Sequence, residues 1–434
     1  MKKNQSFSII FIIIKYNLLN NIYKIFMNTW TKSVLNKIIV FLLISVAFSY
    51  TSINAQQIEK NKDFENFLKL SEGYIIIPDH FPTIQEGIDN SNPGDIIFVR
   101  SGIYLENLVI NIESLYLLGE DKFNTIIDGN KKGCTINLNS ENTIIENFTI
   151  TGGGFDNDVF SNFFRAGIRV TGSNNIICNN IFKKNRLGLS GVRVTNLTIK
   201  NNSFIEDGIT FTCYENDGRP KLKLKYYLHN IENNTVNGKP LYYFFNEKNK
   251  SIDNWEIGQL ILVNCTNFRI KNISISNTDW GPIFAFCNKC SVENCNIFNN
   301  SIALWSLKSN NNLIQFNNVS NNYYRGLILD YNSNYNKIKY NTIFNNLCGV
   351  EIEWYSNNNL VTKNNFLNHP VSGFEHQSFF SKWNKNYYDD WIGLRNPILG
   401  FLPKLIYGMP IERFPKIVVP VSVDFCPAKE PYLL

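Results

Sequence analysis

Asp330 and Glu353 fall at the same place in two successive copies of a repeated phrase, and Glu351 stands two residues before the second of them. On neighbouring turns of a coiled backbone such residues lie about 4.8 Å apart. Carboxylates that close repel unless a cation, a shared proton or a nearby base compensates. Arg325 and Lys382 are the bases within reach of the pattern. Calcium is the cation such oxygens would suit, and a protonated and an ionised carboxyl at this spacing would suit glycoside hydrolysis with retention. Aligning Gly373 with Gly349 brings Glu375 and His376 onto the next turn. The competing expectation is that exposed carboxylates simply turn apart into water, which costs little. Counting back from the aliphatic end of each phrase places Leu260, Leu262, Pro282, Phe284, Leu304, Ser306, Ile328, Asp330, Glu351 and Glu353 on one outward strip, apolar in the middle and acidic at one end. Phe284 is then the ring on which a sugar would stack, unless the strip is covered by other parts of the chain.

Other chemistry is sparse. The chain has four His and three Met, with His369 and His376 the one local pair, too few soft or imidazole ligands for a dedicated copper site. Cys287-Asn288-Lys289-Cys290 has the look of a metal or redox pair. Yet Cys265 and Cys287 stand five residues before Ile270 and Val292, as Ser309 stands before Ile314, so a stack of small side chains is expected there. Nine cysteines leave at least one unpaired if the others pair. No Gly-rich phosphate loop, nucleophile elbow or HExxH motif occurs. The net charge of +6 is spread out, and Lys221-Leu222-Lys223-Leu224-Lys225 reads as a solvated strand face, which argues against a nucleic-acid partner.

The elements that must position these residues are announced by repetition. Ser309-Asn310-Asn311-Asn312-Leu313-Ile314, Ser333-Asn334-Tyr335-Asn336-Lys337-Ile338 and Ser356-Asn357-Asn358-Asn359-Leu360-Val361 recur about every 22 to 24 residues, a solenoid period. Between them run short alternating segments such as Gly326 to Tyr331 and Gly349 to Trp354, which read as strands. One column is expected through Ile145, Ile177, Ile199, Ile231, Ile270, Val292, Ile314, Ile338 and Val361, with an insertion at 207–258. Asn makes up about one residue in six. It tolerates the left-handed turn conformation, and its amide can bond to the Asn of the next coil. Asn-Xaa-Ser/Thr triplets then arise by composition, not as glycosylation signals.

At the N-terminus, Lys32 and Lys37 precede an apolar run from Ile38 to Phe48 and a small-residue region ending at Ala55, so 1–55 is expected to be a secretory signal or an uncleaved anchor, with Met27 an alternative start. Residues 56–73 read as a linker or short helix, and 396–434, rich in Pro, as an irregular tail over the last coil. Thr83-Ile84-Gln85-Glu86-Gly87-Ile88 reads as a short amphipathic helix covering the first coil.

Ile77-Pro78-Asp79 to Tyr104-Leu105-Glu106-Asn107, with Thr83-Ile84-Gln85 and Pro93-Gly94-Asp95 inside it, resembles the entry cap of right-handed parallel β-helix proteins such as pectate lyases. The coils resemble the NosD-like group with carbohydrate-binding and sugar-hydrolysis (CASH) repeats, through Val236 to Tyr243, Gly258 to Cys265 and Asn386 to Trp391. The resemblance implies an all-β, right-handed parallel β-helix with a short N-terminal capping helix, over 74–395. It also implies a secreted, periplasmic or surface protein with a polysaccharide or cell-surface glycan as partner, touching the membrane only through an uncleaved N-terminal segment. Lyases of this fold place an Arg or Lys base beside calcium-binding acids, whereas Arg169 and Arg193 lie several coils from Asp330. A non-catalytic binding module is therefore favoured. Asp330, Glu351 and Glu353 are its catalytic candidates should it be a hydrolase or lyase, and Phe284, Arg325, Glu375 and His376 its ligand-binding candidates. A purely structural surface protein, or a NosD-like copper-related periplasmic protein as the resemblance implies, is the third expectation.

Overall fold

The computed structural model describes residues 73–154, 165–213, 222–391, 395–396, 400–401, 403–409 and 419–434. The expected export segment 1–55, and the linker after it except Gly73, lie outside them. Almost every described element is a short parallel strand paired with its counterpart one coil away. The architecture is a right-handed parallel β-helix.

The expected column is real, and it breaks once. Ile145 pairs with Ile177, Ile177 with Ile199 and Ile199 with Ile231. A new run starts at Ile252 and passes through Ile270, Val292, Ile314, Ile338, Val361 and Trp383. Between the runs an antiparallel hairpin, Thr235–Val236 with Lys239–Phe245, turns the chain at Asn237-Gly238, Gly238 taking φ +77°. Two stacks result, and much of 207–258 is strand belonging to one or the other.

At the N-terminal end, helix α1 (Ile84–Asp89) forms where expected. The Thr83 side chain accepts from the Glu86 amide, and Glu106 accepts from the free amides of Ile84 (3.0 Å) and Gln85 (2.9 Å). α1 buries Ile84 and Ile88 in the cluster that holds Ile75, Ile77 and Ile97 of the first coils.

Inside each stack the Asn residues form ladders. Asn317, Asn341, Asn364 and Asn386 each accept through Oδ1 from the backbone amide of the residue one coil earlier and donate Nδ2 to a carbonyl. The last rung is Asp424, whose carboxylate takes the Asn386 amide at 2.9 Å and the Lys385 amide at 3.1 Å. Asp424 belongs to the strand Val419–Asp424, which pairs with Lys404–Met409, and both strands pair with the final coil. Cys265, Cys287, Ser309, Ser333, Ser356 and Ser378 occupy one such column. Cys287 N donates to Ser309 Oγ at 2.8 Å, and each Ser amide to the next Ser hydroxyl. The corners take positive φ, mostly at Asn, where other L-residues pay roughly 1–2 kcal/mol.

The stacks meet at a polar clasp set in an apolar interface. An open coil end exposes unpaired backbone groups. Here Gln259 accepts from Ile209 N (2.9 Å) and donates to Ile209 O (2.9 Å), while Asp279 Oδ2 takes the amides of Gly188 (2.8 Å) and Gly208 (2.9 Å). Side chains of the second stack thus stand in for the backbone of a coil the first stack lacks. Around them Ile261, Val263, Ile283, Ala285, Trp305, Leu307 and Ile328 join the cluster that contains the interior of the first stack. Leu262, Phe284, Leu329 and Ile352 belong instead to the interior of the second. One sheet of the second stack is therefore apolar on both faces, its outer face covering the end of the first.

Candidate functional site

The strands Arg325–Asp330, Cys348–Glu353 and Val371–His376 are neighbours. Leu329 pairs with Ile352 and Glu353 with His376, so Asp330, Glu353 and His376 stand in one outward column. Glu351 heads the adjacent outward column beside Ile328 and Phe374.

Three placements differ from the expectation, the first through a change in coil length. Where Leu307-Lys308-Ser309 closes one coil, Asp330-Tyr331-Asn332-Ser333 closes the next with one more residue, so counting back from the aliphatic position slips by one. Ser306 pairs with Leu329, an interior residue. Phe284 consequently faces inward, 1% exposed, and presents no surface for a sugar. Leu260, Leu262 and Leu304 are interior as well. Gly373 aligns with Val350, not Gly349, which turns Glu375 inward. It is buried there and accepts from Trp383 Nε1 at 2.6 Å. Lys382 lies on another sheet, opposite Leu360, and is exposed.

The acids that do face outward are not on an open surface. Asp330 is 0% exposed and Glu351 3%. Asp330 Oδ2 accepts from Trp305 Nε1 at 3.0 Å, while its Oδ1 has no hydrogen-bond partner. Arg325 donates through Nε to Glu351, forming an ion pair. Burial pushes Asp330 up to about 8, with the charge of Glu351 adding to it and the Trp305 donor opposing it. Glu353 is also held well above the usual carboxylate range, by burial first and then by the charges of Glu351 and Asp330. The compensation is thus a retained proton together with one arginine. Cys213, from the last coil of the first stack, faces the same cluster, and burial followed by the Asp330 charge pushes its thiol up to about 12. His376 packs against Trp354 with ring centroids 5.0 Å apart, and Trp354 stacks on Tyr331 at 6.1 Å.

An open site lies at the corner next to this sheet. A groove of about 550 Å³ is lined by Asn264, Phe286, Lys308, Asn288, Asn310, Asn311, Asn334 and Tyr335, with Cys287 at its floor. The amides are held in register: Asn311 Nδ2 donates to Asn288 Oδ1 at 3.0 Å, and Asn334 N to Asn310 Oδ1 at 2.8 Å. Lys308 Nζ lies 5.3 Å from the Phe286 ring centre, and Tyr335 is 58% exposed. The signal for this site was in the repeat itself, since Tyr335 fills the slot that Asn311 and Asn358 fill in the flanking phrases.

Fold and sites together define a β-helix protein with amide-lined corners and a buried acid cluster. Residues 223–391, which take in most of the second stack, match the family model described as periplasmic copper-binding protein (NosD), and the fold is a right-handed parallel β-helix. No curated protein matches it. Among solved structures, the mannuronan C-5 epimerase AlgE6 A-module of Azotobacter vinelandii is 12% identical with a TM-score of 0.32, over 70% of this chain and 88% of that one. A pectin methylesterase is 12% identical with a TM-score of 0.26, over 58% and 80%. DFA-IIIase of Arthrobacter chlorophenolicus A6 is 13% identical with a TM-score of 0.33, over 73% and 84%.

The copper of the family description finds no fit here. Among the described residues no group of three or more His, Cys, Asp or Glu is arranged to hold a metal ion. His369 uses both ring nitrogens on backbone groups of Asn346 and Ile343, and His229 uses both on Leu197 and Tyr226. Burial pushes His229 down to about 4. Cys287 and Cys290 sit in the ladder columns, their thiols directed at the carbonyls of Leu262 and Cys265.

Proposed function

We propose that this is a periplasmic or cell-surface protein that binds a polysaccharide without cleaving it, along the corner groove of its second stack. The observation that carries this reading is the groove itself, with amides at coil spacing beside Phe286 and Tyr335. A sugar ring offers an apolar C–H face and a rim of hydroxyls, and this mixture of aromatic surface and fixed amides is complementary to both. The family description and the expected export segment support the location, and no helix among the described residues is long and apolar enough to cross a membrane.

The runner-up is a hydrolase or lyase working through Asp330 and Glu353, favoured by their proton-retaining state. The burial of Asp330 under the first stack argues against it, because a polymer has to reach the reacting carboxyl. A glycan array with wild type and Tyr335→Asn tests the binding reading. Binding that weakens at least about tenfold in the variant supports it, as loss of a central aromatic contact does elsewhere. Unchanged binding places the site elsewhere, and release of reducing ends or unsaturated products that stops in Asp330→Asn would establish the enzyme.

A further inference from the structure

One corner of the fold changes character partway along. The positive-φ residue that follows each strand of the Ile145 to Val361 column is Asn in every coil from Asn147 to Asn294, then becomes Phe316, Tyr340, Lys363 and Lys385, at φ 57°, 57°, 55° and 58°. Asn is the L-residue best suited to that conformation, so aromatic and basic residues there carry a conformational cost on four successive coils. Packing does not account for it. Phe316 is 45% exposed, and its ring lies parallel to that of Tyr340 at 5.2 Å. Lys363 Nζ bonds the Tyr340 hydroxyl at 2.9 Å, and Lys339 and Lys363 sit over the same ring at 5.6 and 5.2 Å.

The adjoining outward face is basic. Lys337 pairs with Leu360 and Leu360 with Lys382, and both lysines are exposed, as is Lys385. The acids of these coils do not balance them. Asp330, Glu351 and Glu375 are buried and Asp390 pairs with Lys404, so exposed Asp389 and half-buried Glu353 stand against Lys337, Lys339, Lys363, Lys382 and Lys385.

We infer that this ridge, Phe316–Tyr340–Lys363 with Lys337, Lys382 and Lys385, is a second contact surface for an anionic polysaccharide, one carrying carboxylates. The inference rests on the reading of the protein as a glycan binder and adds the charge of the polymer. Lys363 and Lys385, one coil apart, and Lys337 and Lys382, two coils apart, match a chain bearing regular carboxylates, and the aromatic pair offers apolar surface to the sugar rings between them.

The test compares polygalacturonate with its methyl ester, which keeps the backbone and removes the charge, by affinity electrophoresis. Wild type is expected to bind polygalacturonate at least about tenfold more tightly, with the advantage shrinking as salt rises. Lys337→Gln/Lys363→Gln/Lys382→Gln should abolish that advantage. Phe316→Asn/Tyr340→Asn should weaken binding while leaving the melting temperature unchanged or higher, which shows that the fold is intact. Equal binding of polymer and ester, lost in Tyr335→Asn, would overturn the ridge and leave the groove standing. Binding to neither polymer overturns the ridge, as does polygalacturonate binding that the ridge variants do not change. Equal capture of phosphatidylglycerol vesicles or duplex DNA by the same lysines would mark the ridge as a general anion surface and overturn it also.

Discussion

Two outward faces of the second stack contrast sharply. The face that carries Ile261, Ile283, Trp305, Ile328 and Asp330 points away from its own interior yet is buried, while the face that carries Lys337, Lys339 and Lys382 is open or half-open. Both alternate correctly with an interior column. What separates them is the first stack, whose last coil, with Ile209, Phe211 and Cys213, covers the former. On a solenoid, pointing outward means pointing to the next layer, which is water only if nothing else is packed there. The two faces therefore treat polar side chains differently: burial on the covered face raises the Asp330 carboxyl well above its usual range, while lysines on the open face meet solvent.

The largest effect should come from the clasp. Gln259→Leu removes the partner of Ile209 N and O together, and a loss of about 2–5 kcal/mol is expected in chemical denaturation. A loss near zero would mean that the coil end is satisfied in some other way.

Next comes pH. Asp330 is raised to about 8 and Asp279 to about 7, both from 3.8. For Asp279 burial is again the cause, opposed by the amides of Gly188 and Gly208. Because the folded chain holds protons that the unfolded chain releases, the stability these groups contribute is fully present below about pH 4 and is lost as pH rises through 7 to 8. Each such proton tilts stability by about 1.4 kcal/mol per pH unit across that window. Melting at pH 5.5 should therefore exceed melting at pH 8.5, and Asp330→Asn should flatten the slope by roughly one proton's share. A slope of the opposite sign would contradict the covered face.

Smaller still, Lys337→Gln or Lys382→Gln on the open face should change stability by no more than about 0.5 kcal/mol. Thiol titration sharpens the contrast without mutation. Cys426 is exposed and should react at once, whereas the eight buried cysteines should react only on unfolding.

Much of this architecture was legible. The column through Ile270, Val292, Ile314, Ile338 and Val361 follows from the repeated phrase, the Cys265 to Ser309 stack from its register, and α1 from Thr83 and the apolar spacing behind it. Two things were not. The one-residue lengthening at Asp330-Tyr331-Asn332 reverses which parity is interior, and a period-2 pattern that is apolar at both parities gives no warning of it. The covering of the acids depends on contacts between coils remote in sequence, and local spacing carries no trace of them. Gln259 precedes an apolar run and Asp279 ends a polar one, Ser276-Asn277-Thr278, and only the clasp explains their burial. The groove leaves one trace in the sequence, Tyr335 in an Asn slot, and a single substitution in a turn does not mark a cavity.

The most direct test of the covered and open faces is carboxyl footprinting by carbodiimide coupling and mass spectrometry on the native protein. Asp330 and Glu351 should resist modification while exposed Asp253 and Asp389 react readily. Modification of Asp330 as fast as Asp253 would show that the first stack does not cover this face, and would return the acids to solvent.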